Sequence, residues 1–468
     1  MTSLAELNSL GALELQRLLG SKQISPVEVV TAAIERQEEV EPQINAFATR
    51  TPELALEAAR AAERAILSGT AGPLSGIPVS VKDLIDVEGI PTTFGSRTMV
   101  GNVAKADAPS AGRLKAAGAA ILGKTTTTEF GCKAGGGDSP LTGVTRNPWD
   151  LSKSTGGSSA GAAASVAAGV TPFAIGTDGG GSIRIPAALC GLVGIKAQFG
   201  RVPVFPASAT PTLGHVGALA RSVRDGALLL SVIAGYDLRD PATIPESGID
   251  YVGACDRGAT GLRVAWSPTL GYARPSAEVM RVTEAAVQRL EDEGVSVDRL
   301  ESVFDHDPVD LWNAEFYAGV GYRLKKYLDH SRELLDPAVA EALTRALYEQ
   351  TLEGYVGKLF ERYDFREQFR RVMEPYDLLV TPTLPVAELD AGQNVPVGYE
   401  DRTMTSWVYY TYPFNLIGNP AISMPCGTTT SGLPVGLQIV AKPHKETDAL
   451  RLAALIEEML PWQRLAPL

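Results

Sequence analysis

Sixteen of the chain's 47 glycines fall between residues 131 and 200, and several of the stretches between them are small and apolar. Glycine at that density loses much conformational freedom on folding. A chain keeps it where the backbone approaches something closely or takes angles closed to other residues. The run SAGAAASVAAG (159–169) has almost no side-chain bulk, so a helix there lets a sheet or another backbone pack against it. Three polar residues in and just before this segment stand out. Ser158 lies in GGSSAG, Ser182 in TDGGGSIRIP, and Lys82 upstream in GIPVSVKD.

Around that centre the chain alternates between two patterns. From Ile77, apolar runs bounded by glycine and proline read as strands at 77–81, 119–123, 172–176 and 191–195. Helices are expected over 110–118, capped by Ser110 and ended by Gly118, and over 159–169. A helix over 222–235 with Ser222 as its cap follows. Next come a strand at 261–267, an amphipathic helix at 276–294 and a strand at 295–300. Strands at 377–385, 421–427 and 435–440 then return to the sheet, and a helix over 446–460 closes the chain.

This order implies an α/β protein with a mixed, mostly buried sheet covered by helices on both faces. Such short buried strands leave register and strand order unread. Residues 1–70 read as a helical layer, with Ser25-Pro26 and Thr51-Pro52 as helix starts. Residues 71–235 read as a catalytic core, and the charged, aromatic stretch 308–374 as a helical cover over a cleft. Neither a linker nor a repeat breaks the chain, so 1–468 is expected to be one domain.

A lysine and two serines can relay a proton without histidine. A serine hydroxyl is a poor nucleophile until a base removes its proton, and a protonated lysine cannot do so. Burial disfavours the charged lysine. Lys82 follows the apolar run IPVSV, which suits such burial, although Asp83 pulls the other way. A hydroxyl accepts and donates at once, so Ser158 can pass a proton between Ser182 and Lys82. The GGGS at 179–182 can gather several N–H groups at one point, as an oxyanion hole requires.

Two other motifs match only formally. GAAILGKT (118–125) fits the phosphate-loop spacing, but its middle residues read as a strand. GSSAG (157–161) fits a nucleophile elbow centred on Ser159, without a convincing strand before it. The four histidines show no metal-ligand spacing, and none sits beside a convincing serine motif; no metal and no cofactor are expected. His215 reads as structural or cleft-lining. A formal charge of −12 argues against nucleic acid and anionic membrane as partners. Four scattered cysteines suit a reducing compartment. No apolar span and no leader pattern is read, so a cytoplasmic protein is expected.

The stretch from Lys82 through Pro186 resembles the amidase signature family of serine hydrolases. The likeness runs through GPLSGIPVSVKD, ILGKTTTTEFG, TRNPWD, GGSSAGAAASVAAG and GTDGGGSIRIPAALCGLVGIK. It continues into NLIGNPAISMPCG and GLPVGLQIV, nearly the whole chain. The resemblance implies Ser182 as nucleophile, Ser158 as a bridging serine after a cis peptide bond, and Lys82 as base. It implies an oxyanion hole from the N–H groups of Gly179, Gly180, Gly181 and Ser182. Asp178, Arg184 and Ser159 match supporting positions. Ala160 departs from the commoner GGSSGG.

These roles imply hydrolysis of a small-molecule carboxylic amide to an acid plus ammonia or an amine. A stand-alone bacterial-type amidase is the expected member, with a homodimer as the family-level assembly. One alternative is the glutaminase subunit of a tRNA-dependent amidotransferase, whose usual DGVRYG-like segment has no match here. Another is a non-catalytic binding protein on the same fold. Phe130, Cys132, Trp312 and Trp407 are the expected substrate-pocket residues.

Overall fold

The computed structural model describes residues 4–468. Among them, eleven strands form one sheet. In chain order they are β1 (Phe47–Arg50), β2 (Pro78–Lys82), β3 (Ala120–Thr125), β4 (Phe173–Asp178), β5 (Val193–Lys196) and β6 (His215–Ala220). β7 (Arg263–Trp266), β8 (Ser296–Arg299), β9 (Leu378–Pro382), β10 (Ala421–Thr428) and β11 (Pro434–Ala441) complete it. Their spatial order is β1-β3-β2-β4-β6-β5-β10-β11-β9-β7-β8. Strands pair in parallel in β3-β2-β4 and again in β9-β7-β8. The pairs from β4 through β9 are antiparallel, as is β1 on β3.

Helices flank both faces. Those used below are α1 (Pro26–Ile44), α2 (Pro52–Ser68), α3 (Pro109–Ala116), α4 (Ala160–Ala167), α5 (Arg184–Leu189) and α6 (Val223–Ile233). Further along come α7 (Ala277–Asp292), α8 (Val309–His330), α9 (Pro337–Thr344), α10 (Leu352–Val372) and α11 (Glu446–Met459). Alternation along the strands divides the interior. Leu378 and Val380 enter the aliphatic core with residues of α6, α7 and α11. Leu379 between them enters an aromatic core with Trp312, Phe316, Phe365 and Phe414. The small side chains of α4 are all buried, and a Cβ on Gly161 would meet the Ala46 carbonyl oxygen at 2.1 Å.

Four local expectations need correction. Residues 1–70 are not all helical. Asn45 ends α1 in the left-handed region, and the Glu41 carboxylate takes the Ala46 and Phe47 N–H groups, which starts edge strand β1. Thr51 precedes α2 without capping it, because its hydroxyl donates to the Ile121 carbonyl. Pro109 rather than Ser110 opens α3, and Gly118 follows the helix with φ +86°. Strand β6 lies in the centre of the sheet, where the sequence reading placed no strand. Its run HVGALA is buried throughout, so no alternation of polar and apolar residues marks it.

Candidate active site

Lys82 ends β2 and Asp83 follows it, so their side chains leave the strand on opposite sides. Asp83 therefore does not pair with Lys82. Its carboxylate receives Lys124 Nζ at 3.0 Å and the Thr93 N–H, with both partners of the ion pair fully buried. Lys82 Nζ is enclosed as well. It donates to Ser158 Oγ at 2.7 Å and to Thr177 Oγ1 at 2.9 Å. Burial pushes its ammonium well below the usual lysine range, and the more distant charge of Asp178 only partly opposes this. Thr177 went unnoticed in the sequence; it is the second hydroxyl that orients the amine.

Ser158 follows a cis Gly157–Ser158 peptide bond and lies two residues before α4. Ser182 lies two residues before α5 and is 9% exposed, toward the cavity. Ser159 ties the two segments together. Its N–H donates to the Ser182 carbonyl at 3.2 Å, and its hydroxyl donates to the Thr177 carbonyl at 3.2 Å. Ser182 Oγ makes no hydrogen bond to another described residue, so the link to Ser158 is not closed in this structure.

The glycine loop is fixed by a buried ion pair. Arg184 reaches the two Asp178 oxygens at 3.0 Å each. The rest of its guanidinium donates to Gln438 on β11 at 2.7 Å, Asn415 at 2.7 Å and the Thr411 carbonyl at 2.9 Å. Burial alone would raise the Asp178 carboxyl. Arg184 outweighs that and holds it well below the usual carboxylate range. Asp178 also takes the N–H groups of Gly181 at 2.8 Å and Ile183 at 3.2 Å. Of the four expected oxyanion donors, Gly181 is thus already engaged. The N–H groups of Gly179, Gly180 and Ser182 have no partner among the described residues. Gly181 has φ +128°, and a Cβ there would strike Thr411 Oγ1 at 2.3 Å.

A cavity of about 450 Å³ opens onto Ser158, Thr177, Gly179 and Ser182. Phe94 and Phe130, stacked at 5.6 Å, form part of its wall, with Met99, Phe205, Phe316 and Leu324 elsewhere. Arg323, Lys326 and Tyr327 of α8 also line it, as does Asp86. Of the four expected pocket residues, only Phe130 lines this space. Cys132 is fully buried, and Trp407 is buried with its indole N–H on the Asn394 carbonyl at 3.0 Å. Trp312 stands behind the glycine loop. These three carry the same apolar signature as lining residues, and only the turn of each backbone separates wall from core. His215 lines the cavity from the start of β6, and its Nδ1 donates to the Leu213 carbonyl at 2.8 Å. Burial, then the nearby Lys196, pushes its imidazole well below the usual range, so the ring is neutral.

A family model described as Amidase matches residues 28–450. The chain belongs to the amidase signature family. Its members hydrolyse amides through a serine acyl-enzyme, and this amidase is an enzyme acting on amide bonds. It is 38% identical to an acylamidase of Rhodococcus erythropolis over 466 residues, covering 97% of this chain and 96% of that protein. It is 36% identical to a Glutamyl-tRNA(Gln) amidotransferase subunit of Moorella thermoacetica, covering 99% of each. The amidase also superposes on the crystal structure of a bacterial aryl acylamidase of the same family with a TM-score of 0.90. That pair is 29% identical, covering 97% of this chain and 96% of the other.

Proposed function

We propose that this amidase is a stand-alone enzyme that hydrolyses small carboxylic amides with an apolar or aryl substituent. Ser182 attacks the carbonyl carbon while its proton passes to Ser158 and the Ser158 proton passes to Lys82. Gly179, Gly180 and Ser182 N–H groups hold the oxyanion. The proton returns through Ser158 to the leaving nitrogen, the C–N bond breaks, and an acyl-enzyme and an amine or ammonia result. Water then attacks the ester by the same relay and releases the acid.

The observation that carries this reading is Lys82: a buried amine with no ion-pair partner among the described residues, hydrogen-bonded to Ser158 beside the cavity that holds Ser182. The aromatic wall and the likeness to an acylamidase support the substrate class. A panel of aryl, arylalkyl and aliphatic amides, scanned for product without any partner protein, tests it. The expected result is turnover of anilide-type substrates and labelling of Ser182 by a fluorophosphonate.

Identity to the amidotransferase protein over nearly the whole chain favours a second reading, a partner-dependent glutaminase. Hydrolysis of glutamine alone, and only with partner subunits, would establish that reading instead. Failure of folded protein to label would favour a non-catalytic binding role. We also read the protein as cytoplasmic, since all four cysteines are buried and free, and as binding no nucleic acid. No helix among the described residues is long and apolar enough to cross a membrane. A homodimer is proposed on family resemblance alone, and sedimentation of a monomer at micromolar concentration would overturn it.

A further inference from the structure

A trans peptide unit points its carbonyl and the following N–H to opposite sides of one plane. Holding the carbonyl of one residue therefore sets the direction of the next residue's N–H. Every carbonyl of the glycine loop is held in this way. The Asp178 carbonyl accepts from Asn415 Nδ2 at 3.0 Å and His215 Nδ1 at 3.2 Å, which sets Gly179 N–H. The Gly180 carbonyl accepts from Thr411 Oγ1 at 2.6 Å, which sets Gly181 N–H. The Gly181 carbonyl accepts from Ile185 N at 2.7 Å, which sets Ser182 N–H. The remaining one, Gly179, accepts from Trp312 Nε1 at 2.8 Å. Trp312 is the only one of these donors that belongs to α8, the helix that lines the cavity.

We propose that Trp312 is a positioning residue for the oxyanion hole: its indole N–H holds the Gly179 carbonyl and so keeps the Gly180 N–H turned to the oxyanion. This rests on the acyl-enzyme reading above. The indole suits the task because it is a donor only and is 3% exposed. Stacking on Phe316 at 4.4 Å and on Tyr412 at 5.6 Å fixes its plane. A Cβ on Gly180 would meet the indole ring at 2.5 Å, so only glycine lets the loop seat beneath it. Glycine, however, rotates readily when unheld. A turned Gly179–Gly180 unit would present a carbonyl oxygen, which repels the charge that develops on the substrate. The ring is absent from the cavity wall, so its effect passes through the loop rather than through substrate contact.

Trp312→Phe keeps an aromatic ring and removes the donor. The expected result is a fall of about 10- to 100-fold in kcat, at or below the loss seen on deleting one oxyanion donor, with KM nearly unchanged. Affinity for an aldehyde analogue, whose tetrahedral adduct on Ser182 needs the hole, should fall by a similar factor. Affinity for the carboxylic acid product should hold. The pH midpoint of kcat/KM should stay in place, because the Lys82–Ser158 contact is untouched. A raised KM at constant kcat would make Trp312 a substrate contact and overturn the proposal. An unchanged kcat, or equal losses of aldehyde and acid affinity, would overturn it as well. If the unaltered protein neither turns over an amide nor labels with fluorophosphonate, the acyl-enzyme reading itself fails, and the two failures are told apart.

Discussion

The glycine loop 177–184 and helix α8 border the same cavity, yet they are built in opposite ways. The loop has little side chain beyond its charges and hydroxyls, and its buried charges are paired: Asp178 with Arg184, and Arg184 onward to Gln438 and Asn415. Its shape is set by backbone hydrogen bonds, so few residue types fit. Helix α8 is set by side chains. It presents Phe316, Leu324 and Tyr327 to the cavity and is anchored behind by the buried Glu315–Arg362 pair. Its neighbour α10 leaves Leu352, Phe360 and Tyr363 largely exposed. A helix accepts many side chains at one backbone geometry, so it can vary what the cavity admits. The loop cannot vary without losing its shape. We therefore place chemistry on the loop and selection on the helix.

The sharpest test of that division is Ser182→Ala. It should reduce turnover by about 10⁴-fold or more and leave the melting temperature unchanged, since the side chain packs against nothing essential. Retained turnover would move the nucleophile elsewhere.

Lys82→Met should be comparably inactive, yet at least as stable as the parent at pH 7. The folded protein holds this amine below its unfolded pKa, so folding releases a proton and stability rises with pH up to the unfolded value. A methionine escapes that cost. Loss of stability in urea melts would show a charged, structural lysine. The same shift places the acid limb of kcat/KM well below the ordinary lysine range, with the rate rising as the amine deprotonates. A limb near that ordinary range would contradict a depressed Lys82.

Asp178→Asn should instead act on stability, by about 3–5 kcal/mol, because it leaves the Arg184 guanidinium buried without its carboxylate. Urea titration of the purified variant measures this; a change under about 1 kcal/mol would mean that Asn415 and Gln438 suffice. Because the Asp178 carboxyl sits well below the usual range, its contribution is present above the unfolded pKa and is lost as pH falls through the folded one. On the cavity wall, Phe316→Leu should raise KM for aryl amides several-fold with less change in kcat, and should leave aliphatic amides less affected. Uniform effects across the amide panel would blur the division of labour. Smallest of all, Leu352→Ser on the exposed face of α10 should change stability by no more than about 0.5 kcal/mol.

The sequence was informative where a residue's identity is tied to one backbone geometry. Ser25-Pro26 marked the start of α1, and the structure shows the reciprocal Ser25–Glu28 cap. The amphipathic repeat of α7 was plain for the same reason: one face is wet and the other dry. Buried strands carry no such contrast, which is why β6 is not legible in the sequence and strand order is legible only in the fold. Pocket residues were the least legible. Cys132, Trp312 and Trp407 are apolar or aromatic, as Phe130 is, and residue type alone does not say which of them faces the cavity. Whether such a side chain meets the cavity or the core depends on how its segment packs, which composition does not encode.

By itself, then, the sequence determined an α/β protein of the amidase family and pointed to a lysine and two serines as its chemistry, because motif residues are constrained locally. The tertiary structure decided what those residues face. It sent Asp83 to Lys124 and left Lys82 with uncharged partners on Ser158 and Thr177, and it engaged Gly181 with Asp178. It also brought Trp312 from 133 positions away onto the Gly179 carbonyl. These outcomes depend on which side of a strand or helix each group leaves, and only long-range packing fixes that.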